Sequence, residues 1–402
     1  MPRRWELLPY YALVATATMS LGAVFTMLAE FRDQLGFSES SLGLMVAMGF
    51  FAAFFSQVGL ARFADRGHAK AMIRLGLVAL VMSLFAMTVS TELWQFVLAR
   101  MLLGVGIGTI LPAVRRIVIA FDPEHVGANI GLLGSFDVSG FVLGPLLSAV
   151  LVETLGFRAP FVVLGIATAA FLPAVARMPA DTGAIAHEER VVRGLLRRRG
   201  IQAALIVAMG WFAMIGTFEA VWAVLLTDRG AETWLIGLTL SIIVAPMIVL
   251  APFGGRLAQR HGPLRVAAVG VLATVPCVVV YGFIESIAVL TVFALLQGFG
   301  DAVTFPASQV GAAMAAGPTE LASAQGLLGA SLELTAGVMA LVAGVVYDHW
   351  GAELLFSLTG AVMVVGVVVA LALARPLAAE RHPTVYGSPV PAAVPQLEPP
   401  VL

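Results

Sequence analysis

The chain has 402 residues, 60% of them hydrophobic and only 12% charged, with a mean hydropathy of +0.97. Soluble domains carry about a quarter charged residues and cannot hide so much apolar surface, so a water-soluble fold is excluded. The formal net charge of −1 offers no basic field to attract nucleic acid. Cys277 is the only cysteine, which rules out an intrachain disulfide, and the histidines show no zinc-type spacing, so no metal site is expected.

A bilayer core about 30 Å thick needs roughly 20 apolar residues per helical crossing. The chain opens with Arg3-Arg4 and then an apolar run too long for a signal peptide, read as an uncleaved first helix. Apolar runs separated by charged or turn-rich breaks follow at 7–29, 40–62, 70–90, 93–119, 128–152, 160–178, 201–226, 232–254, 264–284, 287–312, 321–346 and 353–375. They are too long, and too free of strict alternation, for barrel strands. The predicted fold class is therefore all-α and integral to the membrane, with twelve transmembrane helices.

With the N-terminus inside, nearly all the basic residues fall on one side of these spans. They include Arg62, Arg66, Lys70, Arg74, Arg115, Arg116, the series from Arg177 to Arg199, Arg256, Arg260 and Arg265. The other side holds Arg32, Arg158 and Arg229. The positive-inside rule then places both termini in the cytoplasm. Lys70 is the only lysine, a bias that fits a prokaryotic source and hence a multi-pass protein of the inner (plasma) membrane.

A long basic break at 179–200 divides the chain, giving an N-terminal bundle over 1–178 and a C-terminal bundle over 201–375. The Pro-rich tail at 376–402 reads as disordered and cytoplasmic. The halves are related to each other. At an offset of 194, Gly36 meets Gly230, Gly43 meets Gly237, Arg66 meets Arg260, Gly104 meets Gly298, and Pro112-Ala113 meets Pro306-Ala307. At 195, Gly131 through Gly134 meets Gly326 through Gly329, Gly156 meets Gly351, and Phe161 meets Phe356. Six helices per half is an even number, so the copies enter from the same side as a parallel repeat.

Four motifs sit on this frame. The break after the second span contains Asp65-Arg66-Gly67, and its repeat contains Gln259-Arg260-His261-Gly262. The fourth span carries Arg100, Gly104, Gly106 and Gly108. The fifth carries Gly131, Gly140, Gly144 and Pro145. Together with the six-plus-six repeat, these resemble the major facilitator superfamily over nearly the whole chain, and the fifth-span motif resembles that of its proton-coupled drug-efflux branch. The sequence departs from the pattern at Ala61, Gln259 and Ser148. The resemblance implies two six-helix bundles around a central cavity that opens alternately to each side. It also implies a gate latch at Asp65 and Arg66, with Arg260 in the repeat. The plainer reading of these charges is a solvated topological anchor.

On their own chemistry, Gly140, Gly144 and Ser148 recur every four residues and let two helices approach closely, while Pro145 removes a backbone hydrogen bond. Close packing alone would account for them. Ionisable groups inside spans are costly and mark candidate proton or substrate sites. Asp301 lies mid-span on a polar stripe with Gln297, Thr304 and Ser308, with Phe305 beside it; the alternative is an interhelical hydrogen-bonding role. Glu219 has Trp211 and Trp222 at spacings that allow a shared face, suiting an amphipathic cation; the alternative is interfacial anchoring of the aromatics. Glu333 and Asp137 can each carry a proton, since low-dielectric surroundings disfavour a charged carboxylate. The resemblance implies a part for Arg100 in proton transfer, which an always-charged guanidinium can play only by biasing a nearby acid. Arg115 reads as a positive-inside anchor and Glu30 as a solvated interfacial acid.

No catalytic constellation and no GxxxxGK[ST] loop occurs, so neither an enzyme, a cofactor nor ATP-driven transport is expected. The expected partners are a small-molecule substrate, protons and the lipid bilayer, with the protein acting as a monomer. The expected function is secondary active, proton-coupled export of a small amphipathic or cationic compound. Transport of a sugar or other neutral metabolite, or a non-transporting sensor on the same scaffold, are the alternatives.

Overall fold

The structure, a computed structural model, describes residues 4–63, 68–121, 126–177, 189–316 and 320–379. After a short 3-10 turn (Arg4–Leu7) the chain forms α1 (Leu8–Leu35), α2 (Glu39–Phe63), α3 (Ala69–Val89), α4 (Leu93–Phe121), α5 (Val126–Leu155), α6 (Ala159–Ala169) and α7 (Leu172–Arg177). The second half holds α8 (Glu189–Leu196), α9 (Arg199–Asp228), α10 (Thr233–His261), α11 (Pro263–Val280), α12 (Ile287–Ala316) and α13 (Leu321–Ala379). Among the described residues, ten helices are long and apolar enough to span a membrane. The last of these breaks at Gly351, where φ is 80°, and so contributes two arms. With the shorter apolar pair α6 and α7 this gives the twelve crossings expected from the sequence. No strand occurs among the described residues. The predicted linker is described only from Glu189, where α8 begins, and the tail beyond Ala379 lies outside the described residues.

Helix ends follow from local chemistry. Gly36 takes a left-handed φ of 71° and donates its N–H to the Arg32 carbonyl, closing α1. Gly230, its repeat mate, has φ 81° at the end of α9. Gly156 and Gly351, the next repeat pair, have φ of 92° and 80°. The offset seen in the sequence therefore recurs as backbone conformation, because only glycine enters this region without strain.

Within each half, the close contacts are also repeated. Gly104 of α4 lies so near the Gly49 carbonyl of α2 that a Cβ would overlap it, and Gly298 of α12 has the same relation to the Ile243 carbonyl of α10. Residues 49 and 243 are again 194 apart. In lipid no hydrophobic force draws helices together, so backbones this close supply the packing. Pro112, Pro145, Pro276 and Pro306 all lie inside helices. Such prolines are tolerated where neighbouring helices satisfy the freed groups. Next to Pro145, the Phe141 carbonyl faces Gly22 of α1, where a Cβ would come within 2.7 Å.

The halves meet along two seams, α2 against α13 and α5 against α10. At Gly43 a Cβ would lie 2.7 Å from the Ala340 carbonyl and from the Gly344 Cα. At Gly237 a Cβ would lie 2.7 Å from the Pro145 carbonyl and 2.9 Å from Ala149. The two seams are therefore copies related by the repeat. We call the end where α1 begins the basic end, and the opposite one the far end.

At the far end a polar network joins the halves. Arg32 Nη1 pairs with Asp228 Oδ1 at 2.5 Å, and Tyr347 donates its hydroxyl to Asp228 Oδ2 at 2.6 Å. Ser40 donates to Asp348, Thr233 donates to Glu30 at 2.8 Å, and the Trp234 amide donates to Glu153 at 3.0 Å. All but the Tyr347–Asp228 bond, which holds α13 to α9 within the C-terminal half, cross from one half to the other, so the far end is closed. Glu30, expected to be a solvated acid, is one of the cross-linking groups.

Candidate functional site

Charge gathers at the seam between the halves. Arg100, on the second turn of α4, is only 1% exposed. It shares a helix face with Gly104 and Gly108, and that face lies on α2, where Gly49 and Ala53 leave room. A Cβ on Gly49 would come within 2.8 Å of Arg100 Nε. The Phe25 ring of α1 sits beneath the guanidinium, with Arg100 Cζ 4.8 Å from its centroid.

Across the seam, Arg100 is within electrostatic reach of Glu219 on α9 and Glu333 on α13. One guanidinium of the N-terminal half thus faces two carboxylates of the C-terminal half. The Glu219 and Glu333 charges also act on each other. Gln57 of α2 hydrogen-bonds to Glu333, and a Cβ on Gly329, one turn before Glu333, would lie 3.4 Å from Gln57 Oε1. Asp137 of α5 is half-buried nearer the basic end, within electrostatic reach of Glu333 and of the exposed Arg115. Electrostatic interaction thus links Glu219 to Glu333 and Glu333 to Asp137, with Arg100 acting on the first two. A narrow chamber beside it is lined by Leu21, Gly49, Phe50, Arg100, Ile107 and Glu333.

The other predicted residues are placed elsewhere. Asp301 is 2% exposed and lies inside the C-terminal bundle. Its Oδ1 accepts the Trp211 indole N–H at 2.7 Å and its Oδ2 accepts Gln297 Nε2 at 3.0 Å. Gln297 Oε1 accepts the Tyr281 hydroxyl at 2.7 Å. This chain of bonds ties α9, α11 and α12 together. Thr304 faces Gly270 of α11, and both Thr304 and Ser308 bond back to their own helix. Phe305 packs on the Trp211 ring at 5.4 Å.

The expected grouping of Trp211 and Trp222 around Glu219 does not form. Trp222 stacks on Phe218 at 4.0 Å, meets Tyr281 at 5.1 Å and donates to Thr239 at 3.2 Å. Both indoles point into the C-terminal bundle, whereas Glu219 faces Arg100. The sequence spacing admitted a shared face; the burial of two large rings in one bundle and the pull of a guanidinium in the other set them apart.

Gly140 and Gly144 form the face on which α1 packs. A Cβ on Gly140 would overlap the Ala15 carbonyl, and one on Gly144 would overlap the Met19 carbonyl. Thr18 of α1 donates to the Asp137 carbonyl at 2.9 Å. Pro145 sits where α1, α5 and α10 meet, and Gly131 lies on α5. Asp65 and Arg66 lie outside the described residues, and Arg260 is exposed in the last turn of α10.

Three residues escaped sequence reasoning: Gln57, Gly49 and Asp228. Gln57 is a polar residue inside an apolar run, which is a usable signal. Gly49 and Asp228 become meaningful only through residues distant in sequence.

Two six-helix bundles related by a parallel repeat, with buried ionisable groups on the seam, define a multi-pass membrane transporter. Comparison with known proteins agrees. The model of the Major Facilitator Superfamily matches residues 10–227 and 203–396, and the chain belongs to that family. Among curated relatives, multidrug resistance protein MdtG of Salmonella typhimurium is 23% identical over 310 residues, covering 72% of this chain and 76% of the relative. Among solved structures, a POT family transporter in complex with 5-aminolevulinic acid superposes with a TM-score of 0.78 at 14% identity, covering 94% of this chain and 97% of that one. A bacterial homologue of the human lysosomal transporter Spinster, in an inward-facing and unoccupied conformation, gives 0.72 at 15% identity, covering 93% and 95%. These superpositions concern the fold.

Proposed function

We propose that the protein exports a small amphipathic cation in exchange for protons, by alternating exposure of the seam. The observation that carries this reading is the cluster in which Arg100 of one half faces Glu219 and Glu333 of the other. With both acids ionised, one guanidinium leaves one negative charge uncompensated. Low-dielectric surroundings penalise that charge. A single proton or a single monovalent cation neutralises it, so the two compete for the same vacancy. Competition of this kind is the basis of exchange. Because the charges come from opposite halves, their state also alters how favourably the halves close, and a ligand shifts a two-state equilibrium by its differential affinity.

The positive-inside rule puts the basic end, and with it both termini, in the cytoplasm of the inner membrane. The closed far end then corresponds to a carrier sealed from the outside. The relative named a multidrug resistance protein supports an export role. In this reading Asp301 is a structural anchor of the C-terminal bundle and not the proton carrier. A small-molecule substrate, protons and lipid suffice as partners, and a single chain contains both halves of the site.

The test uses purified protein in liposomes with an imposed proton gradient and a panel of lipophilic amines. Substrate-dependent proton movement is expected in the wild type, and is expected to be lost in Glu219→Gln and in Glu333→Gln. Persistence of coupled movement in both variants would sink the assignment.

A further inference from the structure

We propose that the seam selects cations that also carry a hydrogen-bond acceptor oxygen close to the charged nitrogen; this rests on the cation-exchange reading above. Net charge alone would make the cluster indifferent to the body of the cation. The hydrogen-bonding state of its members makes it selective. Arg100 Nε and Nη1 are buried and have no hydrogen-bond partner, and the same is true of Glu219 Oε2. The Phe25 ring covers one face of the guanidinium, but a ring under the plane does not accept the in-plane N–H groups. Glu219 and Glu333 act on Arg100 through their charge, yet neither closes a hydrogen bond onto these two nitrogens.

The site therefore offers two unsatisfied donors and one unsatisfied acceptor within electrostatic reach of one another. A buried donor left without a partner is unfavourable, and a ligand oxygen that reaches it removes the penalty. A cation with a hydrocarbon body satisfies Glu219 and leaves the Arg100 nitrogens as they are. A cation bearing an amide, ester or ether oxygen satisfies both. The chamber lining favours this arrangement. Leu21, Phe50 and Ile107 provide an apolar wall for the body of the molecule, and Gly49 leaves the guanidinium edge uncovered. Apolar pockets with a few convergent polar groups take their specificity from those groups.

The residue pattern also excludes a simple swap of Arg for Lys. An ammonium keeps the charge of the cluster but not the fixed fork of donors. Selection by acceptor oxygen should thus be separable from attraction by charge.

The experiment compares two probes on the purified, nanodisc-reconstituted protein by calorimetric titration. One is a diethylaminoalkyl benzamide; the other is the analogue in which two methylenes replace its amide. A hydrogen bond from a charged donor corresponds to about tenfold or more in affinity. The benzamide is expected to bind the wild type at least about tenfold more tightly than its analogue. In Arg100→Lys the ratio between the two is expected to fall to within about twofold. Gly49→Ala, which retains the guanidinium but crowds its Nε, is expected to reduce the ratio in the same direction, and it serves if the lysine variant does not fold. Equal affinities in the wild type would overturn this inference while leaving cation exchange standing, as would an undiminished ratio in a folded Arg100→Lys or Gly49→Ala protein. Failure of both probes to bind the wild type would overturn the cation reading itself, and this inference with it.

Discussion

Asp301 and Glu219 show how two acids within membrane-spanning helices acquire different roles. The Asp301 carboxylate receives hydrogen bonds from Trp211 and Gln297, so its oxygens are already occupied. Glu219 has an oxygen with none. A fully satisfied polar group rigidifies its surroundings, whereas an unsatisfied one is available for chemistry. Asp301→Asn should therefore act on stability more than on transport. The amide retains one acceptor for Trp211 and presents a donor where Gln297 donates, at a cost of about 1–2 kcal/mol unless Gln297 turns over. The expected result is a lowered thermal midpoint of the purified protein with coupled transport preserved. Loss of coupling in a variant of wild-type thermal stability would return Asp301 to the site. That Asp301 is buried and polar was legible from its place in an apolar run. That its bonds run to Trp211 and Tyr281 was not, because both lie on other helices.

At the scale of helices, glycine has two distinct duties. Gly104 and Gly298 hold neighbours inside one bundle, whereas Gly43 and Gly237 hold one bundle against the other. Larger side chains should separate these duties. Gly104→Val places two methyl groups against the backbone of α2 and is expected to prevent the N-terminal half from packing, read as loss of a monodisperse peak in size-exclusion chromatography. Gly237→Val instead wedges α10 away from α5 at the far end. It is expected to leave the bundles folded and to increase labelling of a reporter cysteine placed on the far-end surface of α10, in a background where Cys277 is replaced by Ser. Unchanged labelling would mean that the seam does not open there. The helices themselves, and the repeat between them, were readable from apolar run lengths and from a constant offset of glycines. The pairing of helices was not, since a stripe of small residues states that something packs closely and not what.

For the whole molecule, the far-end network decides which face is closed. Arg32, Asp228 and Tyr347 join α1, α9 and α13, and Arg32 also reaches Glu39 at 3.5 Å. Pairs this close to solvent are individually weak. Several acting across the same boundary bias a two-state equilibrium all the same. Asp228→Asn removes a charge from the centre of the network, where charge-assisted bonds are worth about 1.5–3 kcal/mol in favourable settings and less with exposure. The population open at the far end is expected to rise by up to about tenfold, measured by distance distributions between spin labels on the far-end tips of α1 and α9. No change in those distributions would show that the apolar seams alone hold the closed state. Charge reversal in pairs, Arg32→Asp with Asp228→Arg, is expected to restore the wild-type distribution in part.

The sequence by itself determined that this chain lives in a bilayer, crosses it twelve times and repeats itself after six crossings. Those properties follow from the cost of exposing backbone and charge to hydrocarbon, which acts on every segment independently and so is written locally. The repeat follows from glycines whose φ or whose close contacts allow no other residue. The tertiary structure alone decided which acids meet which base. Glu219 and Glu333 are 119 and 233 positions from Arg100 in the chain, and no periodicity within a helix encodes a partner on another one. It also decided that Trp211 and Trp222 turn inward while Glu219 turns toward the seam. A helix of thirty residues presents all its faces at once, and only packing against its neighbours selects the face that each side chain occupies.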